Sequence, residues 1–468
     1  MCTRRKCESC RRYYEPNSDE AGSLWDGPEQ YAVGSADCCL ECWMMLGFSQ
    51  VSSKVMRDLL TDGRIRFADA SLLRVVLPPV QQRNLRDRFE GMLLGVAVGD
   101  ALGNTSESMT PAQRRQRYGE ITDYLTAPGQ VSDDGQLTFW TIETMLQHFE
   151  LLRAFPGTHP SGLLRSESSP PGCDFSPEHV AARFAFARSR VPTSLDDSRG
   201  WSTLRSPSIA SRRIRGIGKT VRAALRAKKN GAKWDEMGQA SAGNGALMRF
   251  LPPVLPHLRG SGEALWEAAA FNAMLTHNEP LAIATNLAMT RLLFELLERD
   301  EAPAPAWWWQ RFCEILAPLE SDSVYRSRAP ALQGFEGTLS ALLEAQLPSM
   351  LARDASVEEA CNHWYSGAYL LETVPSVLYI LSRHGHSFEE AVTRAVNDTW
   401  DNDTIASIVA SLMGALHGRG AIPQRWLEGL DPKTSEQDER GIFTLIDDAW
   451  SILVEEEHYQ DDEQERAQ

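Results

Sequence analysis

The chain has 468 residues and a formal net charge of −16, with 24% charged and 43% hydrophobic residues. This is an ordinary globular composition, long enough for two or three units, and the negative balance excludes a general nucleic-acid binder, which needs a basic surface to displace counterions. No run of about 18 uncharged apolar residues argues for a membrane span, and Arg4, Arg5 and Lys6 lead into cysteines and polar residues rather than a secretory apolar core, so a cytoplasmic location is expected.

Residues 1–50 hold six of the nine cysteines, including Cys7-x-x-Cys10 and Cys39-x-x-Cys42, two knuckles separated by 28 residues. Two short CxxC turns can present four thiolates to one tetrahedral Zn²⁺, which supplies folding energy that so small a segment cannot obtain from burial. Cys38 is an alternative to Cys39, and a loosely ordered arm of reduced cysteines is the alternative to a zinc site. Residues 51–86 read as a connector in which Leu73-Arg74-Val75-Val76-Leu77 has a strand-like pattern closed by Pro78-Pro79.

From Phe89 to Gly103 the pattern is an apolar helix in which Gly91, Gly95 and Gly99 recur every four residues, a bare stripe that predicts close backbone packing. Asp100, near its end, is either a satisfied core carboxylate or part of a polar site. Glu107 follows just beyond. Ser132-Asp133-Asp134 then opens a second helix at Leu137; two carboxylates after a hydroxyl residue suit a capped helix start as well as a cation site.

A Pro/Ser/Arg-rich stretch between about 155 and 210 reads as insertion or loop, with one helix around His179–Arg188. Arg215 to Thr220 lacks the glycine spacing of a phosphate loop, and a helix through Ala227 is the simpler reading. Gly243-Asn244-Gly245-Ala246-Leu247-Met248-Arg249 is a small-residue turn that either lets backbone N–H groups approach a ligand or is merely tight. His277 sits in a helix break, either structural or free for a ligand. Trp307-Trp308-Trp309 reads as core or a partner face. Val396 to Thr404 packs Asp398, Asp401 and Asp403 ahead of a segment apolar on nearly every face, from Ile405 to Leu416. Half a helix-dipole charge cannot balance three carboxylates, which predicts a divalent cation there. Recurrence of acids plus a hydroxyl residue at two helix starts favours one shared metal cluster over two separate caps. Residues 451–468 form an acidic tail.

In order, Gly99-Asp100-Ala101-Leu102-Gly103 with Glu107, Ser132-Asp133-Asp134, Gly243-Asn244-Gly245-x-x-Met248-Arg249, Thr276-His277 and Asp401-Asn402-Asp403-Thr404-Ile405-Ala406 resemble the ADP-ribosylglycohydrolase family over roughly residues 87–450. The resemblance implies an all-α catalytic domain whose cleft holds two Mg²⁺ or Mn²⁺ ions, with Glu107, Ser132, Asp133, Asp134, Asp401, Asp403 and Thr404 at the metal-ligand positions. Gly243, Asn244, Gly245, Met248 and His277 match its ADP-ribose contacts, and Asp134 or Asp403 is the candidate general base. It further implies a metal-dependent hydrolase that removes ADP-ribose from a modified protein side chain, arginine first, releasing ADP-ribose as product. The chain departs from the family pattern at Ser132, Gly135 and Thr399-Trp400. The alternative is an immunity or interaction protein that engages an ADP-ribosylating toxin or another partner through its N-terminal arm, with hydrolysis secondary or lost.

Overall fold

The computed structural model describes residues 67–153, 214–230, 232, 234–259, 265–320 and 324–455, together with four short strand segments before residue 40. In those segments Arg5–Lys6 pairs with Tyr13–Tyr14 and Ala21–Ser23 with Asp37–Cys39, both antiparallel. Cys7, Cys10 and Cys42 lie outside the described residues, as do the expected helix at 179–188 and the acidic tail from residue 456. Of the expected zinc ligands only Cys39, with its alternative Cys38, is among the described residues, and the expected partner-binding arm is described only in those strands.

The rest is mainly helical, with one further antiparallel pair, Tyr325–Arg326 with Glu336–Gly337. In chain order come α1 (Leu85–Gly103), α2 (Pro111–Tyr118), α3 (Asp133–Arg153), α4 (Lys219–Lys229), α5 (Leu265–Met274), α6 (Pro280–Leu297), α7 (Pro305–Leu316), α8 (Leu339–Ala352), α9 (Val357–His363), α10 (Leu370–His384), α11 (Phe388–Asp398), α12 (Asn402–His417), α13 (Gln424–Gly429) and α14 (Ile442–Trp450). The all-α expectation holds. Among the described residues one helix, α6, is long and apolar enough by length and composition to cross a membrane, but 83% of it is buried within the bundle, as a core helix is. The strand-like run at Leu73 is corrected: Ser71–Arg74 is a 3-10 helix. Leu73 and Leu77 are buried while Val75 and Val76 face out, and the Val75 carbonyl accepts from Trp266 Nε1 at 2.7 Å instead of from a neighbouring strand.

The centre of the bundle is the pair α1 and α12, each buried on nearly every face. Their contact is backbone on backbone. A Cβ added at Gly95 would lie 2.4 Å from the Ala410 carbonyl oxygen, one at Gly99 would lie 2.4 Å from that of Ala406, and one at Gly91 2.7 Å from that of Gly414. Each helical glycine costs roughly 1 kcal/mol relative to alanine, so dispersion contacts along the whole seam must offset the loss. At the last rung, a Cβ on Gly103 would sit 2.5 Å from Asp403 Cα. The antiparallel seam thus sets the C-terminal turn of α1 beside the N-terminal turn of α12, where the acidic residues are.

Candidate functional site

Asp100 is fully buried and joins α1 to α3. Its carboxylate accepts from Ser132 N (2.8 Å), Ser132 Oγ (2.7 Å), Gly135 N (2.8 Å) and Asn104 Nδ2 (3.1 Å), so it holds the first turn of α3 in place. Burial pushes its pKa up, and these four donors work against that rise. The absence of a side chain at 135 matters here, since a Cβ would fall 2.7 Å from Val131 Cβ and 3.0 Å from Asp100 Oδ2.

The anchored turn presents Asp133 and Asp134. Asp134 is 1% exposed; Thr404 Oγ1 donates to its Oδ2 at 3.4 Å, and its Oδ1 has no partner among the described residues. Glu107, Asp401 and Asp403 close the other side, each offering a carboxylate oxygen within 4.8 Å of the other two. Asp403 is held up against the chain by its own helix start, accepting from Thr404 N at 2.9 Å. Crowding of buried like charges shows in the proton affinities. Burial, and then Asp403, raises Asp134 well above the carboxylate range; burial, and then Asp401 and Glu107, does the same to Asp403. Burial raises Glu107 to about 7, with Asp401 adding to it, and raises Asp133 to about 7, with Asp100 adding. Oxygen-only donors, concentrated charge and the orphaned Asp134 Oδ1 fit a hard divalent cation. Glu107, Asp401 and Asp403 are the residues that could hold one ion together.

Asp398 is not part of this group. It turns to Arg394 (3.2 Å) and Arg115 (3.7 Å), so only two of the three acids in the 398–403 run face the cluster. Asp133 Oδ2 instead accepts from Gly218 N at 3.3 Å, which brings the 215–218 loop over the acidic turn; Arg215 fastens that loop through Gln136 Oε1 and the Val131 carbonyl, both at 2.8 Å.

The glycine turn sits on the opposite wall. Asn244 N and Leu370 N bond across to the Ala368 and Ala242 carbonyls, tying the turn to the start of α10. Asn244 Nδ2 then donates to Asp401 Oδ2 at 2.6 Å and to Thr373 Oγ1 at 2.9 Å. The turn and the acidic cluster are therefore one site. His277 is 1% exposed, packed behind the turn rather than open at a helix end, and burial followed by Arg249 pushes its pKa down to about 3. Met248 is buried in the 3-10 helix Leu247–Arg249.

Residues 81–461 match the family model for ADP-ribosylglycohydrolases. The chain belongs to the ADP-ribosylglycohydrolase family. It is 26% identical over 372 residues to the ADP-ribosyl-dinitrogen reductase glycohydrolase of Rhodospirillum rubrum, spanning 78% of this chain and 97% of that protein. An ADP-ribosylhydrolase from Xenopus tropicalis is 25% identical over 352 residues (72% of this chain, 89% of that protein), and an ADP-ribosylarginine hydrolase from Pseudomonas putida is 22% identical over 348 residues (73% and 74%). The expectation of a hydrolase of this class is met by that membership.

The frame of this ADP-ribosylglycohydrolase also includes residues that no sequence pattern marked. Arg114, fully buried on α2, donates from Nε to Ser106 Oγ (2.9 Å), from Nη1 to the Asn397 (3.0 Å) and Thr399 (2.9 Å) carbonyls, and from Nη2 to the Met109 carbonyl (3.1 Å). It clamps the segment carrying Glu107 to the one leading into Asp401. Burial lowers its pKa to about 10, while Asp403 and Asp398 pull it back up. Asn402 adds a second tie, from Nδ2 to Ser106 Oγ at 3.1 Å. Nothing in the sequence separates Arg114 from Arg115 or Arg117, its neighbours on a polar helix.

Trp400, one of the departures from the family pattern, stands next to Asp401 with its ring 4.8 Å from that of Tyr365. Ser366 locks this corner: its Oγ accepts from Trp400 N at 3.1 Å and its carbonyl from Asp401 N at 3.0 Å. Tyr365 and Ser366 both have positive φ, 79° and 43°, a backbone cost that these two bonds help to hold.

Proposed function

We propose that the chain hydrolyses the bond between the anomeric carbon of an ADP-ribosyl group and a protein side chain, releasing ADP-ribose, with arginine as its acceptor. The observation that carries this reading is the 2.6 Å bond from Asn244 to Asp401, which makes a turn suited to phosphate continuous with a cluster suited to cations. ADP-ribose carries the matching pair of groups, a diphosphate and a vicinal diol. The name of the Pseudomonas putida relative supports arginine as acceptor.

In this reading Glu107, Ser132, Asp133, Asp134, Asp401, Asp403 and Thr404 would hold two Mg²⁺ or Mn²⁺ ions. When bound, such ions supply charge that orients the ribose diol and acidifies water. Gly243, Asn244, Gly245, Met248 and His277 serve the diphosphate and ribose. Asp134 and Asp403 are the groups that take a proton from the attacking water, a role that requires them ionised, whereas burial and mutual repulsion raise the proton affinity of both in the cation-free protein. Asp100 and Arg114 hold the frame, and Trp400 with Tyr365 borders the entrance where the acceptor side chain leaves. Residues 87–450 are the catalytic unit, and the enzyme works in the cytoplasm.

The test incubates a protein labelled with ADP-ribose on arginine with the full chain and Mg²⁺ or Mn²⁺, beside a serine-linked substrate. Label should leave the arginine-linked substrate faster, and Asp403→Asn should slow its release about a hundredfold or more. Label retained by the wild type, or released equally by Asp403→Asn, would sink the reading; faster release from serine would overturn the choice of acceptor.

A further inference from the structure

Behind the glycine turn, Arg249 and Thr276, to which the proposed reaction gives no task, lead to His277. Arg249 is 5% exposed, and both its side-chain hydrogen bonds among the described residues go to neutral oxygens: Nη1 to Asn272 Oδ1 and Nη2 to Thr276 Oγ1, each at 2.6 Å. Thr276 Oγ1 is in turn 2.8 Å from His277 Nδ1. A threonine hydroxyl has one proton to give. With Arg249 donating into one lone pair, the only other neighbour of that hydroxyl among the described residues is Nδ1, and donation to it is the arrangement that gives the Thr276 proton an acceptor. Nδ1 is then an acceptor, and the single proton of a neutral imidazole must sit on Nε2.

That nitrogen has no partner among the described residues, and it faces the turn. A Cβ on Gly245 would lie 3.3 Å from it and one on Gly243 3.4 Å, so the two glycines leave the room in which it can be reached. Burial and the nearby guanidinium keep the ring neutral. The guanidinium, with only neutral partners, is also a buried positive charge that an anion on the turn can offset.

We infer that Arg249 and Thr276 are positioning residues: they fix His277 as the Nε2–H tautomer and so aim an N–H donor at an anionic or hydroxyl oxygen bound over Gly243–Gly245. Only the last clause rests on the ADP-ribose reading of the turn; the tautomer is a property of the protein alone.

The experiment records two-bond ring correlation spectra of the full chain labelled with ¹⁵N-histidine, with the His277 signal assigned from its loss in His277→Gln. In the ligand-free wild type and in Thr276→Ser the proton should be on Nε2 across pH 5–8, and in Thr276→Val the two tautomers should mix. By calorimetry with ADP-ribose, Thr276→Val and Arg249→Met should bind about tenfold more weakly, or 1.4 kcal/mol, and Thr276→Ser within about twofold of wild type. A proton on Nδ1 in the wild type overturns the inference. So does a Thr276→Val protein that melts earlier but keeps both the tautomer and the affinity, since that is what a merely structural threonine would give. If the tautomer responds as expected but the wild type does not bind ADP-ribose, the positioning role stands and the functional reading of the turn falls.

Discussion

On one wall of the site, Asp100, Asp134 and Asp403 stand at the ends of α1, α3 and α12, two of which touch backbone to backbone at every fourth residue. On the other, the Gly243–Gly245 turn is irregular chain, held by Asn244 in front and by the His277, Thr276 and Arg249 side chains behind. The difference follows from what each wall must tolerate. Carboxylates packed at mutual distances of a few ångströms repel, and only a frame that cannot yield will keep them together without a cation. The turn holds no such cluster of like charges among the described residues, so support by neutral groups and one buried guanidinium suffices.

That contrast can be broken at the rigid wall first. Gly95→Ala places a methyl 2.4 Å from the Ala410 carbonyl oxygen, in a seam with no flexible side chain to give way. It should cost about 3 kcal/mol or more and leave little folded protein, read as the denaturant midpoint; a midpoint close to wild type would show that the seam can open. Arg114→Met should come next, at about 2–4 kcal/mol, because it leaves several buried carbonyls without donors and frees the Glu107 segment. Its distinguishing sign is weaker divalent-cation binding in the fraction that stays folded. If cation affinity is untouched, Arg114 holds the fold but not the site.

The smallest effect sharpens the comparison. Without a cation, Glu107 and Asp133 have folded-state pKa values raised to about 7, above those of the unfolded chain. The folded state then holds protons that the unfolded state has released, so their contribution is complete below the unfolded carboxylate range, near 4, and is lost as pH rises through 7. Chelator-treated protein should therefore melt a few degrees lower at pH 8 than at pH 5, and Mg²⁺ or Mn²⁺ should restore the pH 8 value. A melting temperature that ignores both pH and cation would mean that the acids are not coupled as the geometry places them.

Much of the rigid wall was legible in the sequence, because its signals are periodic or repeated. Glycines at 91, 95 and 99 announce a close helix contact, and acids with a hydroxyl residue at two helix starts announce that the two belong together. Counting carboxylates misled in one respect, since Asp398 is satisfied by arginines from α2 and α11 rather than by the cluster. Contacts between distant segments left no local trace. Arg114 looks like a surface arginine until α11 is laid over it. The loop at 215–218 covers Asp133 through a backbone N–H that no residue type reveals. The strand-like run at Leu73 failed because two leucines four apart, buried together, mimic alternation when valines lie between them.

Gly103 closes the seam directly against Asp403 Cα. Amide hydrogens in the first turns of α12 are therefore reachable by solvent only when α1 leaves, an event on the scale of global unfolding rather than local fraying. The acidic cluster is then expected to keep its shape for as long as the seam between α1 and α12 stays closed.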